Sequence, residues 1–101
     1  MNESIIKIEK GPRNKKYTAH IKNKGTQKIR KIHFGDKNYK QYKDRTKLKL
    51  YASKNHNTRK RMQNYYKRHS GTSNRKKAID LEKKKHDYNY NAKILSHMYL
   101  W

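Results

Sequence analysis

Residues 57–71 most constrain what this chain can fold into, because the sequence marks both ends of a helix there. Asn57 or Thr58 can cap the first turn with a side-chain oxygen, and Gly71 can adopt the left-handed conformation that ends a helix. Between these ends, residues spaced i, i+3, i+4 and i+7 share one face. They are Met62, Tyr65, Tyr66 and His69. We predict a helix with an aromatic face for packing and a basic face for an anionic partner.

Positive charge limits how large a core the chain can build. Its 29 Lys and Arg residues against 7 Asp and Glu give a formal net charge of +22 over 101 residues. Hydrophobic residues make up 31% of the sequence and nine of them are tyrosines, so few aliphatic side chains remain for burial. The sequence therefore predicts one small domain whose thin core gains stability from a partner. The absence of cysteine excludes disulfides, thiolate metal sites and cysteine nucleophiles.

Residues 1–16 are predicted to form a basic N-terminal arm, because Gly11 and Pro12 interrupt any regular element there. Two interpretations of this arm stay open. In the first it is flexible, and in the second it extends and docks its isoleucines on a neighbouring subunit. The isoleucines concerned are Ile5, Ile6 and Ile8.

Residues 17–34 have the pattern of a β-hairpin. Apolar and polar residues alternate from Tyr17 to Ile21, and residues 23–26 (Asn-Lys-Gly-Thr) supply the chemistry of a turn. The spacing of apolar residues on the return strand predicts a bulge near residues 30–31. An isolated hairpin is marginal in water, so we expect this one to pack on helices.

Helices are predicted for most of the chain that follows the hairpin. Asp36 can cap a short helix that ends near Asp44, while Asn74 and Asn91 can cap two later helices. Residues 45–56 are expected to be extended. The predicted fold class is α+β, a small N-terminal β-hairpin packed with three to four short helices.

This single small α+β domain is expected to cover residues 17–101. Its last helix carries an apolar stripe that closes with Trp101. A tryptophan at helical spacing usually packs into a core or an interface, since its ring can bury about 200 Å². Together with Ile5, Ile6 and Ile8, Trp101 is predicted to contact other protein subunits.

The titratable residues do not predict catalysis or metal binding. No two of the six histidines have the spacing of roughly three to five residues that is typical of short zinc motifs. Asp36, Asp44 and His56 form only the kind of combination that any chain of this length contains. The glycines are isolated, so no phosphate-binding loop is predicted. We therefore expect that the protein is not an enzyme, binds no cofactor or metal ion, and has no small-molecule substrate.

Residues 45–79 contain twelve Lys or Arg residues and no Asp or Glu, with the 57–71 helix in their middle. Such a charge attracts nucleic acid, an anionic membrane surface or acidic protein surfaces. The residues predicted to bind an anion or nucleic acid are Arg59, Lys60, Arg61, Lys67 and Arg68. In a second interpretation the charge is inflated by an AT-rich coding sequence, which tends to produce many lysines and few arginines. The chain has 22 Lys against 7 Arg. Lysine also favours diffuse phosphate attraction over base reading.

Three blocks of the sequence carry a resemblance to a known family. They are residues 33–51, 56–71 and 92–101, with Phe34-Gly35, Arg68-His69-Ser70-Gly71 and Leu100-Trp101 as the most specific parts. Over roughly residues 15–101 the chain resembles a small basic domain family of unknown function. That family is found in nucleocytoplasmic large (giant) DNA viruses and some tailed phages.

The resemblance implies a viral setting and brings no catalytic residues with it. The first expected function is that of a virion structural protein, a minor capsid or cement protein that bridges capsid subunits beneath the outer shell. The alternative is a non-sequence-specific DNA- or RNA-binding protein of the virion core or viral factory. The expected partners are major and minor capsid proteins or nucleic acid. The expected location is the virion, and the host cytoplasm or viral factory during assembly.

Overall fold

The computed structural model describes residues 1–101 and places a β-sheet before a helical half. Three antiparallel strands come first, namely β1 (Glu3–Lys10), β2 (Lys15–Asn23) and β3 (Ile29–Asp36), with β2 in the centre. A single 3₁₀ turn at Ala52–Lys54 precedes the helices α1 (Arg59–Ser70), α2 (Arg75–Lys85) and α3 (Ala92–Tyr99). The predicted α+β class is confirmed.

Strands β2 and β3 form the predicted hairpin, and the sequence of the turn explains how it closes. The side-chain oxygen of Asn23 accepts hydrogen bonds from the backbone N–H groups of Gly25 and Thr26, both at 2.9 Å. An asparagine side chain that accepts hydrogen bonds from the following backbone in this way stabilises the turn. The predicted bulge in the return strand is wrong, because the pairing runs without a shift from Lys22 opposite Ile29 to Tyr17 opposite Phe34.

The predicted N-terminal arm is instead an edge strand. Most of residues 1–16 belongs to β1 and the start of β2, and Glu3–Lys10 pairs along β2. The pairing shifts between Ile5 and Lys7, so the one bulge of the sheet lies here. Because of this shift, Ile5 and Ile8 lie on the same face of the sheet although they are three residues apart in the chain. Ile5 pairs with Ile21, and Ile8 pairs with Ala19. Ile5 and Ile8 therefore pack against the core.

The helix ends are largely those that the sequence predicts. Asn74 and Asn91 cap α2 and α3, since their side chains accept hydrogen bonds from the N–H groups of Lys77 and Ile94 at 3.0 and 2.8 Å. Gly71 ends α1 with a left-handed φ of 76°. Thr58 precedes α1, but its side chain forms no capping hydrogen bond. None of the helices is long and apolar enough to span a membrane.

The predicted helix from Asp36 to Asp44 is wrong. Both carboxylates bind nearby backbone in turns, which competes with helix formation. An Asp36 oxygen accepts from Asn38 N–H at 2.8 Å, and an Asp44 oxygen accepts from Thr46 N–H at 3.0 Å. Gln41 turns inward and is fully buried, and its amide donates to the carbonyl of Tyr51 at 2.7 Å. Apart from the 3₁₀ turn, the segment between β3 and α1 is irregular chain held by buried polar groups.

The core consists of two groups of buried side chains. The larger joins the inner face of the sheet to α3 and the residue that follows it, and its members are Tyr17, Ala19, Ile21, Phe34, Leu95 and Leu100. The smaller joins α1 to α2 and contains Tyr65, Tyr66 and Ala78. Trp101 packs against both groups. Only 20 of the 101 residues are buried, so most of the chain is available as surface.

Candidate functional site

A cleft of about 480 Å³ lies where the sheet and helices meet. Its walls come from α1, from the end of β3, from the irregular segment after β3 and from the end of α3. Among the lining residues are Lys40, Arg61, Arg68, Tyr39, Tyr65 and Trp101. The cleft therefore combines positive charge with aromatic rings in one concave surface.

Two arginines of α1 face the cleft because of their helical spacing. Arg61 and Arg68 are seven residues apart and share a face with Tyr65, which lies between them. Both arginines are exposed, as is Lys40 across the cleft. None of the five ion pairs in the structure involves these three basic residues. Their charges are free to bind a ligand.

Aromatic rings form the back of the cleft. The indole of Trp101 stacks on the Tyr65 ring, with centroids 4.1 Å apart and planes inclined by only 4°. The His69 ring lies 4.5 Å from the same tyrosine ring. Tyr39 differs from these packed rings, because 69% of the residue is exposed and its ring is free to stack on a flat group of a ligand.

A second cavity of about 280 Å³ continues the cleft past Gly35. The two cavities share Gly35, Asp36, Tyr65, His69 and Ser96. The second adds the further polar side chains of Lys15, His33 and Lys93. The cleft and its extension thus adjoin each other, and both are lined mainly by basic and aromatic residues.

The five basic residues predicted on α1 do not act as one patch. Arg61 and Arg68 line the cleft, whereas Arg59 lines a separate cavity of about 360 Å³ with Arg75 and Lys76. A helix turns about 100° per residue, so Lys60 and Lys67 share a different face from Arg61 and Arg68. Those two lysines are exposed to solvent.

The residues predicted to bind an anion or nucleic acid do not include the other half of the cleft and its extension. Tyr39 and Lys40 lie about twenty residues before α1 in an irregular segment, and Lys93 comes from α3. The interleaving of tyrosine and lysine at 39–43 is a compositional signal for nucleic-acid binding. No sequence pattern indicates that this segment packs opposite α1.

A buried hydrogen-bond network supports the cleft from below. The fully buried His97 ring contacts the Tyr65 hydroxyl through Nδ1 at 3.0 Å and the Ser70 hydroxyl through Nε2 at 2.9 Å. Ser70 also donates to Glu82 at 3.2 Å. Burial lowers the pKa of His97 to about 4 and raises the pKa of Tyr65. His97 is therefore neutral near pH 7, and the network holds α1, α2 and α3 together.

The arrangement of this network differs from that of a catalytic triad. In a triad the carboxylate orients the histidine, whereas here Glu82 contacts Ser70 and the second histidine nitrogen faces Tyr65. His97 is also fully buried. Elsewhere, no three His, Asp or Glu side chains gather into a cluster that could hold a metal ion.

The residues predicted to form a protein interface lie in different environments. Trp101 packs within the chain, against Tyr65. Ile5 and Ile8 are half-buried against the core, while Ile6 remains 49% exposed at the bulge of β1. All three isoleucines line a groove of about 550 Å³ together with the loop that contains Leu48. Only Ile6 keeps the exposure that the prediction requires.

Comparison with known proteins gives no further constraint. No family model, no curated protein and no solved structure matches this chain. The resemblance to a viral domain family, and the location that it implies, stay predictions. The geometry of the cleft is therefore the basis for assigning a function.

Proposed function

We propose that this protein binds nucleic acid without sequence specificity, through the cleft between α1 and the segment that contains Tyr39 and Lys40. A single observation carries the proposal. Two unpaired arginines and an unpaired lysine surround an aromatic surface in one cleft of about 480 Å³. The positive charges can bind phosphates, and the aromatic rings can stack on bases.

Arg61, Arg68 and Lys40 are proposed to contact the phosphate backbone. Each neutralised phosphate releases condensed counterions, which makes the affinity depend steeply on salt. The surrounding charge of +22 adds a long-range attraction that accelerates encounter. Asp36 lines the same cleft, and its Oδ1 already accepts a hydrogen bond from Asn38 N–H. Asp36 is one carboxylate against the three cationic groups of Arg61, Arg68 and Lys40, so it offsets only part of the local positive charge.

The aromatic residues favour a single strand over a duplex. Tyr39 is largely exposed at the cleft and can stack on a base only if that base is unpaired. Every base has a flat face, so stacking of this kind tolerates any sequence. The cleft is also poor in Asn and Gln side chains, which read base edges. We therefore expect single-stranded DNA or RNA to bind more tightly than a duplex of the same length.

Fluorescence anisotropy with a labelled oligothymidylate tests this function on the full chain. We expect the double variant Arg61→Gln, Arg68→Gln to bind about tenfold more weakly or worse. The slope of log affinity against log salt should also become shallower by about 0.7 for each phosphate contact removed. Tyr39→Ala should weaken binding of a single strand by about 1–3 kcal/mol, whereas Tyr39→Phe should retain it.

A matched control separates the cleft from net charge. Lys77 and Lys84 are exposed on α2 at the same spacing of seven residues. The variant Lys77→Gln, Lys84→Gln has the same net charge as the arginine variant and should keep most of the affinity. Equal losses in both variants would show that binding is diffuse and would contradict the role of the cleft. A flat salt dependence would contradict nucleic-acid binding itself.

A role as a minor capsid protein is the second candidate, favoured by the exposure of Ile6 in an apolar groove. In this role the protein bridges capsid subunits beneath the outer shell of a large DNA virus. Mass spectrometry of purified particles, compared with nuclease-treated empty shells, tests it. A shell protein stays with empty capsids, whereas loss of the protein together with the genome would exclude this role and support the first candidate.

A further inference from the structure

Strand β1 and the loop at residues 45–48 enclose a groove that the nucleic-acid cleft does not use. The groove has a volume of about 550 Å³ and shares no lining residue with the cleft. Its floor consists of Ile5, Ile8 and Tyr99, which also pack against the core. The floor is thus part of the folded domain and is already formed before any partner binds.

Two large aliphatic side chains stand exposed at this groove. Ile6 is 49% exposed because the bulge of β1 turns it away from the sheet pairing, and Leu48 is 45% exposed on the loop. Exposed apolar residues that cluster around a preformed groove are typical of interaction sites, whereas isolated ones are not. Aliphatic walls also do not stack bases, which separates this groove from the aromatic cleft.

The groove has a positively charged rim. Lys7, Arg45 and Lys47 line it, and no carboxylate does. Lys7 has one weak partner in Glu9, with 3.7 Å between Nζ and Oε2, and both side chains are largely exposed. Arg45 lies over the Tyr42 ring, with its guanidinium carbon 5.8 Å from the ring centroid. Lys47 takes part in none of the ion pairs. A partner that complements this rim carries negative charge beside an apolar group.

We propose that this groove binds an acidic polypeptide segment of a partner protein and inserts one large apolar side chain of that segment between Ile6 and Leu48. Carboxylates on either side of the apolar residue pair with Lys7 and Lys47. β1 is an edge strand, so an extended segment can lie along it. The protein then has two separate surfaces, one for nucleic acid and one for an acidic protein.

Binding of a defined peptide to the full chain tests this proposal. The probe is a labelled peptide in which Leu-Phe is flanked on each side by Asp and Glu. We expect saturable binding that Ile6→Ser with Leu48→Ser weakens about tenfold or more, since an apolar anchor carries much of the energy of such interfaces. Ile29 and Leu81 provide the matched control, because they are 60% and 50% exposed elsewhere on the surface. The variant Ile29→Ser, Leu81→Ser should bind like the wild type.

Several results would overturn the proposal. They are the absence of saturable peptide binding, an equal loss in the control variant, and unchanged binding when Leu-Phe becomes Ser-Ser or when the acids become amides. If sedimentation shows that the wild type is a dimer and that Ile6→Ser, Leu48→Ser dissociates it, the groove would be assigned to a second copy of the chain. Oligothymidylate binding should be unaffected in this variant. A failure of the peptide experiment therefore leaves the nucleic-acid function intact, and loss of oligonucleotide binding would assign the groove to nucleic acid instead.

Discussion

Gly35 and Gly71 both adopt left-handed backbone, but their surroundings differ. At Gly35, with φ of 79°, an added Cβ would lie 2.8 Å from Leu100 Cδ1 and 3.1 Å from Lys16 Cβ. At Gly71, with φ of 76°, an added Cβ would meet no atom within 4 Å. Backbone strain therefore applies to both positions, whereas a steric clash applies only to Gly35.

We expect Gly35→Ala to destabilise the protein more than Gly71→Ala. The left-handed conformation alone costs about 1–2 kcal/mol for an alanine, and the clash with Leu100 adds about 1–3 kcal/mol. Urea denaturation followed by circular dichroism measures both free energies of unfolding. Equal losses in the two variants would mean that the packing at Gly35 relaxes without cost.

His97 makes the stability of the protein depend on pH. Its pKa is about 4 in the folded state because of burial, compared with about 6.5 in an unfolded chain. Between these values the unfolded state binds more protons, so the free energy of unfolding falls as pH is lowered. Burial also lowers the pKa values of His56 and His69, which act in the same direction.

We expect the free energy of unfolding to decrease as pH falls from about 6.5 towards about 4. The variant His97→Gln should show a shallower decrease, and the remaining slope should come from His56 and His69 together with Glu3 and Glu9 at its acid end. Hydrogen bonds with Arg30 and His20 lower the pKa values of these two carboxyl groups, so their protonation also favours the unfolded state. Denaturation at a series of pH values measures these slopes. His33→Gln, which changes an exposed histidine of β3 outside the His97 network, is the control. A slope unchanged by His97→Gln would show that His97 is not protonated on unfolding.

At the scale of elements, the irregular segment after β3 depends on one buried carboxylate. Asp44 accepts hydrogen bonds from the Tyr17 hydroxyl, from the backbone and hydroxyl of Thr46, and from the N–H of Tyr51. Asn55 adds a hydrogen bond from Asp44 N–H to its side-chain oxygen at 2.8 Å. These contacts tie the segment to β2, and the same segment carries Tyr39 and Lys40 to the cleft.

We expect Asp44→Ala to destabilise the protein by about 3 kcal/mol or more, because buried donors lose a charged acceptor. Asp80→Ala, on the exposed face of α2, should change stability by less than about 0.5 kcal/mol. Thermal denaturation of the two variants gives the comparison. A small effect of Asp44→Ala would mean that water replaces the lost acceptor and that the segment does not depend on this residue.

At the scale of the whole molecule, charge acts against stability and in favour of binding. The charge of +22 repels itself across a domain with a radius of gyration of 13.5 Å. Only 20 residues are buried, so little hydrophobic energy opposes this repulsion. An anionic partner relieves the repulsion when it binds.

We expect the thermal midpoint to rise with sodium chloride between low and physiological ionic strength, while oligothymidylate affinity falls over the same range. Screening weakens both the internal repulsion and the attraction to phosphate. Calorimetry and anisotropy on the same samples measure the two trends. Sulfate at matched ionic strength should raise the midpoint more than chloride does in the wild type and in Arg61→Gln, Arg68→Gln alike, because its exclusion from the protein surface favours the folded state. A larger effect of sulfate that Arg61→Gln, Arg68→Gln removes would show specific anion binding in place of screening.

The sequence by itself determined the features that rest on local chemistry. The hairpin turn at Asn23, the caps Asn74 and Asn91 and the end of α1 at Gly71 all depend on hydrogen bonds or backbone conformations within a few residues. The packing face of α1 was predictable for a related reason, since helical periodicity alone places Tyr65 and Tyr66 together. Local patterns also gave Arg61 and Arg68 as candidate binding residues.

Only the tertiary structure decided the rest, because the deciding contacts join residues far apart in the chain. The N-terminal residues became strand β1 when they paired with β2, and the hydrogen bond from the Tyr17 hydroxyl to Asp44 ties the irregular segment after β3 to that same sheet. The same long-range packing selected Arg61 and Arg68 from five basic candidates and set Tyr39 opposite them. A charge pattern along the sequence gives the sign of a partner, but only the packing of β3, α1 and α3 gives that partner a cleft.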